Sequence, residues 1–502
     1  MTDERSARPN ILWICADMLR YDAIGGLGNR HVRTPNMDAL VEEGVSFTHA
    51  YCQNPLCSPS RASFLTGRYP SATRVVANGQ EVFPASERLV TKTLSEAGYD
   101  CGLVGKLHIA AVFETVTDSA AGLQEETTRV ERRADDGYRV FHWSHDPVND
   151  WGEADEYHRW IDREGVDLRA LRRAGKIPER LNHTTWCVDR AIEFITRAQK
   201  TPWLLSLNFF HPHGPWDVEI DSVAKFDINS LPGPLFRESD LLMQNEYLRE
   251  VDFSFSPAAR RPDDLDDWVL EAELGGLSRL TGPKGKRFQA GYWTTVELVD
   301  RQIGRVIAAL KDSGQYENTV IILHADHGLA LGDHGLYGSG CRFYDSWMRV
   351  PLVVAWPRHF KTGLQVDGLV ELIDLAPTLH EIAGVPIGRQ IQGESLVPVL
   401  TGRADPGHIK EGVRAEYYHS FFQVDRSERG TYATMWREGR WKLVVYHGMT
   451  IGELYDMEED PGEFENLWES PAHAEIKNRL IRACFDQCMF TIDRGPRQIG
   501  HA

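Results

Sequence analysis

Residues 57–68 read Cys-Ser-Pro-Ser-Arg-Ala-Ser-Phe-Leu-Thr-Gly-Arg. The run joins one strong nucleophile, Cys57, to a cation, Arg61, four positions on. Ser58 suits a helix N-cap and Pro59 the first helical position, so a helix is expected through Ser60 to Thr66, ended by Gly67. Cys57 then stands at a helix start, where unsatisfied amides and the dipole favour negative charge. Arg61, one turn in, can point back toward it. A nucleophile in an anion-binding setting is one reading. On these residues alone, a buried structural thiol is the better supported one.

The elements that must position such chemistry are legible as apolar runs. Asn10-Ile-Leu-Trp-Ile-Cys-Ala reads as a buried strand that delivers Asp17, and Tyr99 to Val104 as a second that leads to Lys106 and His108. Trp203-Leu-Leu-Ser-Leu-Asn-Phe is a third, ending in His211-Pro212-His213, and Thr319 to Leu323 a fourth, ending in Asp326-His327. Helical patterns lie between them, at Pro35 to Glu43, Gln289 to Leu310 and Ile373 to Ile382. Near-continuous apolar strands alternating with amphipathic helices predict an α/β fold with a mostly parallel sheet covered on both faces. In such sheets ligands bind beyond the C-terminal strand ends. Polar loops explain one strand ending in Asp, His or Lys, but four such endings poorly.

Two charge-, Trp- and Pro-rich stretches, near 110–180 and 215–285, break the alternation and read as insertions over the strand-end face. Trp143, Trp151, Trp216 and Trp293 are candidate pocket walls there, although core packing is the better reading for each. After about residue 405 the texture changes to a hairpin pattern, Thr434 to Tyr446 with Glu438-Gly439 at the turn. Gly452-Glu-Leu-Tyr-Asp and a helical stretch near 471–488 follow. The expected organisation is a large catalytic α/β domain over 1–405 and a C-terminal α+β subdomain with a small antiparallel sheet over 406–502.

Composition bounds the function class. The 502 residues carry 55 Lys plus Arg and 73 Asp plus Glu, a net charge of −18. An acidic envelope argues against nucleic acid, whose binding rests on cations that displace counterions. It still admits an anionic substrate in a local cationic pocket. The eight cysteines show no framework spacing, so reduced thiols are expected. Cys484 and Cys488, four apart, make an incomplete metal site by themselves. The polar N-terminus lacks an apolar signal region, and the apolar runs are too short for a membrane span. A soluble, cytoplasmic protein with no membrane partner is expected, with a homo-oligomer left open.

Cys-x-Pro-Ser-Arg-Ala-Ser-x-Leu-Thr-Gly-Arg over 57–68 resembles the sulfatase signature at every defined position. Asp17, Thr34-Pro-Asn-Met-Asp38, Gly105-Lys-Leu-His108, Pro212-His213, Asp326-His327-Gly328, Arg349-Val-Pro-Leu352 and Asp374-Leu-Ala-Pro-Thr378 resemble family blocks in family order. Gly439-Arg-Trp-Lys-Leu and Glu453-Leu-Tyr-Asp resemble its C-terminal subdomain. The resemblance implies an alkaline-phosphatase-like fold. It also implies conversion of Cys57 to formylglycine by a formylglycine-generating enzyme, and one divalent metal held by Asp17, position 57, Asp326 and His327.

Catalysis implied by the resemblance runs through a covalent sulfo-enzyme. The aldehyde hydrate at position 57 attacks the sulfate ester, with Asp326 accepting its proton and Arg61 holding the hydrate. Lys106 and His213 contact the sulfate, His213 protonates the leaving oxygen, and His108 takes the second proton as sulfate leaves. His211 is expected to lie behind His213. Asn78, in the turn Ala77-Asn78-Gly79, is a candidate substrate contact. Three departures stand out. Met18 replaces a frequent second acid, and His327 replaces a frequent Asn. Both soften the ligand set, favouring Mn²⁺ beside Ca²⁺. The usual lysine after His334 is missing from Gly338-Ser-Gly-Cys-Arg-Phe-Tyr344, leaving Arg342 as the candidate for that charge, against an ordinary surface arginine.

Three functions follow. The first is hydrolysis of aryl or alkyl sulfate esters. The second is hydrolysis of phosphonate monoesters or phosphodiesters with the same nucleophile, as a sole or dual activity. The third is non-catalytic anion binding, should Cys57 stay a thiol.

Overall fold

The computed structural model describes residues 8–118, 123–128, 131–132, 135–197, 200–252, 259–264, 274–338, 340–418, 430–493 and 495. Its centre is an eight-stranded sheet of β1 (Asn10–Ala16), β2 (Val45–Phe47), β3 (Asp100–Gly105), β4 (Val140–Trp143), β5 (Trp203–Phe209), β6 (Thr319–Ala325), β7 (Leu352–Ala355) and β8 (Leu364–Val366). The strand order is β8-β2-β7-β6-β1-β5-β3-β4. Only β7 runs against the others, pairing antiparallel with both β6 and β2. Strands β1 and β5 span the residues that their apolar runs predict, because every position from Ile11 to Ala16 and from Trp203 to Phe209 is buried. A strand buried on both sides needs cover on both faces.

That cover comes from two groups of helices. The long α4 (Lys284–Asp312) packs with both α1 (Pro35–Glu43) and α3 (His183–Thr196), and α2 (Cys57–Thr66) packs with α5 (Leu375–Ile382) and the helix Val90–Glu96. β3 and β5 approach closely at Gly105, where φ is +94° and a Cβ would stand 2.1 Å from the Asn208 carbonyl oxygen. Only glycine fits there.

Part of the first expected insertion belongs to the sheet: Val140–Trp143 is its edge strand, with Gly102 opposite Val140. A run of only four residues is too short to show a period. Residues 119–122, 129–130, 133–134, 253–258 and 265–273 of the expected insertions lie outside the described residues.

Toward the C-terminus, β9 (Gly412–Tyr417), β10 (Ala433–Glu438), β11 (Trp441–Tyr446) and β12 (Gly452–Asp456) form a four-stranded antiparallel sheet. The hairpin turn is shifted by one from its expected place: Glu438 pairs with Trp441, so Gly439-Arg440 makes the loop. α6 (Ala474–Phe490) covers this sheet around Trp436, Leu443, Leu454, Leu480 and Cys484. All eight cysteines are free thiols. The sheet is tied to the segment before α2, because Glu416 N–H donates to the Gln53 carbonyl at 2.8 Å and Asn54 Nδ2 donates to the Glu416 carbonyl at 2.6 Å. No helix among the described residues is long and apolar enough to cross a membrane.

Candidate metal centre and active site

Parallel pairing sets the first two groups. Ala16 at the end of β1 lies opposite Ala325 at the end of β6. Asp17 and Asp326 therefore leave adjacent strands side by side, both fully buried. The chain turns sharply after Asp17: Met18 adopts φ 61°, and its N–H donates to Asp326 Oδ1 at 3.1 Å. Tyr292 of α4 holds this turn, donating to the Met18 carbonyl at 2.8 Å and accepting from Arg20 N–H at 2.9 Å. His327 N–H gives Asp326 Oδ1 a second bond at 2.9 Å.

α2 brings the third group. It begins at Cys57, earlier than its sequence indicates. Leu56 is the extended N-cap residue, and Ser58 lies inside the helix with its Oγ buried and unpartnered among the described residues. The Ser58 N–H is instead capped from outside by Asn78 Oδ1 at 2.9 Å, and Leu56 N–H by Asn54 Oδ1 at 2.8 Å. A cap supplied by Asn78, 20 positions on, leaves no signature at the helix start. Gly67 ends the helix at φ 71°, its N–H donating to the Ser63 carbonyl. Cys57 Sγ is 3.1 Å from His327 Nε2 and 3.7 Å from Asp17 Oδ1. One ligand atom each from Asp17, Cys57, Asp326 and His327 lies within 4.8 Å of the others, and all four residues are buried.

Two buried cations balance the two carboxylates. Arg61 Nε donates to Asp326 Oδ2 at 2.9 Å, Nη2 to Asp17 Oδ2 at 3.4 Å, and Nη1 to the Lys106 carbonyl at 3.2 Å. Its guanidinium thus bridges the aspartates, where the sequence placed it on the position-57 group. Lys106 Nζ donates to Asp17 Oδ2 at 2.6 Å. Burial pushes the Asp17 carboxyl up, but Lys106 and then Arg61 outweigh it and hold Asp17 well below the usual carboxylate range. Burial works against charge on Lys106 too, and Asp17 reverses that, raising it.

The histidines differ in their tethers. His327 Nδ1 bonds the Gly328 carbonyl at 2.8 Å, leaving the Nε2 lone pair turned toward Cys57. Burial disfavours its charged form, yet Cys57 and Asp326 raise its pKa. His213 Nδ1 bonds the Gly214 carbonyl, and burial lowers its pKa. His211 lies behind, fully buried, bonded to Thr184 Oγ1 at 2.8 Å and held by burial near 3. His108 is kept neutral by burial and by Lys106.

The structure thus gathers Asp17, Cys57, Arg61, Lys106, Asp326 and His327 into one bonded group. Asn78 joins it as the cap of α2. Arg342 is not an ordinary surface arginine: it is buried, with Nε on Gln244 Oε1 at 2.8 Å and Nη1 on the Cys341 carbonyl at 2.7 Å. Trp143, Trp216 and Trp293 are buried core residues, as their better reading held, and half-buried Trp151 bonds Asp146 Oδ2 at 2.8 Å. Local motifs do not reveal Tyr292, Glu131 or His145. Glu131 accepts the N–H groups of His108 and Ile109 and stands 3.9 Å from His145.

The residues fit a divalent cation. Two carboxylates and an imidazole converge with position 57, and all four residues are buried. With sulfur at position 57 the set is mixed, and with an oxygen there it becomes three oxygens and one nitrogen, suited to Mn²⁺ or Ca²⁺. Fold and site together place Asp17 and Asp326 at the C-terminal ends of adjacent parallel strands, with Cys57 at the start of α2 and His327 beside them. Residues 9–385 match the sulfatase family profile, and residues 332–487 match the profile described as N-sulphoglucosamine sulphohydrolase, C-terminal. The chain belongs to the sulfatase family, the sulfuric ester hydrolases.

It is 27% identical to an N-acetylglucosamine-6-O-sulfatase of Bacteroides thetaiotaomicron, over 95% of this chain and 86% of that protein. It is 26% identical to an arylsulfatase of Clostridium perfringens, over 93% of this chain and 92% of that protein. Its fold is similar to the crystal structure of a phosphonate monoester hydrolase of Agrobacterium radiobacter, with a TM-score of 0.79, 24% identity and 97% of each chain covered. The fold is alkaline-phosphatase-like, a large mixed sheet with helices and a C-terminal antiparallel sheet.

Proposed function

We propose that this chain hydrolyses aryl or alkyl sulfate esters with formylglycine at position 57 and a divalent metal. The observation that carries the reading is the convergence of Asp17, Cys57, Asp326 and His327 within 4.8 Å, with Lys106 and Arg61 bonded to the same carboxylates. A formylglycine hydrate supplies the nucleophilic oxygen, and a metal supplies Lewis acidity that lowers its pKa. Asp17, Asp326 and His327 would hold the metal.

The protein's own groups divide the remaining work. Asp326 already accepts from Met18, His327 and Arg61, which makes it a better anchor than base, so we assign it first to holding the metal. Arg61 fixes both aspartates in place. Lys106, between Asp17 and the ring face of Phe210, offers cationic charge to the equatorial oxygens of the ester. His213, with Nδ1 committed to Gly214, presents Nε2. It protonates the leaving oxygen only when charged, which the ester's negative charge favours and burial opposes. Neutral His108 accepts a proton as sulfate departs. A formylglycine-generating enzyme would act during maturation, and the catalytic unit would span 1–405, ahead of β9.

A second reading, phosphonate monoester or phosphodiester hydrolysis, is favoured by Met18 in place of a second acid, by His327, and by Arg342 being committed to Gln244. Matched nitrophenyl sulfate and phenylphosphonate esters, assayed with added Ca²⁺ or Mn²⁺, separate the two. Faster turnover of the sulfate is expected, and a phosphonate preference of several orders of magnitude would replace the first reading by the second. The mass of the tryptic peptide carrying position 57 tests the modification. A peptide from the native host that keeps its thiol mass would reduce the protein to an anion-binding homologue.

A further inference from the structure

We propose that His145 is a positioning residue for His108, fixing its ring through an edge-on contact anchored on Glu131; this rests on His108 acting at the site as assigned above. The topology delivers the pair. β3 and β4 run parallel with Gly105 opposite Trp143. His108 follows Gly105 by three residues and His145 follows Trp143 by two, so the two rings leave neighbouring strands at the same end of the sheet. Their centroids are 4.5 Å apart at 84°.

What singles out His108 is a missing tether. His213, His327 and His211 each have Nδ1 on a carbonyl or hydroxyl oxygen. The Nδ1 atoms of His108 and His145 are both buried without a hydrogen-bond partner among the described residues. The ring packed against His108 is that of His145. His145 is in turn wedged. Trp151 meets it edge-on at 5.3 Å, Trp143 lies at 6.5 Å, and Glu131 Oε1 stands 3.9 Å from its Nδ1.

Glu131 serves both sides. Its carboxylate accepts His108 N–H and, at 3.0 Å, Ile109 N–H, holding the left-handed backbone of His108 at φ 55°. It also accepts Trp143 Nε1 at 3.1 Å. Burial and then the charges of Lys106, His145, Arg61 and His213 disfavour the charged form of His108. A base with an untethered ring needs a neighbour of fixed shape, and an aromatic edge supplies one.

The test is a double-mutant cycle with converted, metal-loaded enzyme. His145→Ala should lower kcat about 10- to 100-fold, the scale of a misplaced catalytic group, with KM little changed. The same change in a His108→Ala background should have almost no further effect. His145→Phe, which keeps the ring, should restore most of the rate and covers the case in which the alanine variant fails to fold. An undiminished kcat in His145→Ala, a loss of equal size without His108, or no rescue by Phe would overturn the proposal. Imidazole NMR of the histidine-labelled Cys57→Ala protein is independent of turnover. The His108 ring signals should shift and broaden in His145→Ala, and unchanged signals would also overturn it. If wild-type enzyme turns over neither ester, the functional reading fails, and the NMR arm still decides this one.

Discussion

The amide of Met18 donates to Oδ1 of Asp326 at 3.1 Å, so the residue after the leading aspartate enters the centre through its backbone. Tyr292 makes that possible, bonded on one side to the Met18 carbonyl and on the other to the Arg20 amide. Tyr292→Phe keeps the ring and removes both bonds, leaving two buried main-chain groups unsatisfied. A loss of about 1–3 kcal/mol in urea unfolding is expected, with weaker metal binding by titration. Unchanged metal affinity would show that the Met18 turn holds itself.

Asn78 caps α2 although it lies outside the helix. Asn78→Ala should lower stability by about 1 kcal/mol, and it should reduce kcat because the frayed turn carries position 57. Asn78→Asp keeps the acceptor and should restore stability. If the Ala variant binds substrate poorly but unfolds like wild type, Asn78 contacts substrate and the cap is incidental.

Asp17 gives a pH signature. Its carboxyl is held below the ordinary value of 3.8 by Lys106 and Arg61. A depressed carboxylate contributes stability that is complete above the unfolded pKa and is lost as pH falls through the folded one. Asp17→Asn should therefore be less stable than wild type at pH 7, by about 3 kcal/mol for a broken buried pair. That gap should narrow as pH drops below about 4. Unfolding midpoints in metal-free buffer from pH 7 to 3 read it directly, and a gap independent of pH would contradict the assignment.

Metal removal should loosen the fold as well as stop turnover. A ligand at 100 times its Kd stabilises by about 2.7 kcal/mol, so chelation should lower the melting temperature and added Mn²⁺ or Ca²⁺ restore it. Asp326→Ala should show no metal-dependent shift, whereas Cys57→Ala should fold and lose turnover. A metal-dependent shift that survives in Asp326→Ala would move the ion elsewhere.

Much of this was legible in sequence because burial on both faces leaves a plain signal. β1 and β5 are mostly apolar and almost wholly buried, and their polar successors, Asp17 and His213, mark the site. What stayed hidden depends on long-range contacts. The start of α2 is set by Asn54 and Asn78, so Ser58 and Pro59 misplace it by offering local capping chemistry that the fold does not use. Val140–Trp143 is too short for periodicity and becomes a strand only by pairing with β3. Arg342 looks like a surface charge until Gln244 is brought to it. Glu131 and His145 belong to no motif, and only the register of β3 against β4 brings His145 to His108.

The pairing of β1 with β6 also bears on the order of events during folding. Met18 and Asp326 are separated by 308 residues in the chain, and Asp17 and Asp326 become neighbours only when these two strands zip together. Closing so long a loop is entropically unfavourable and slow. No fragment that lacks either of these two strands can assemble both carboxylates. On the proposed reading, a chain that holds a metal between Asp17 and Asp326 has already paired β1 with β6.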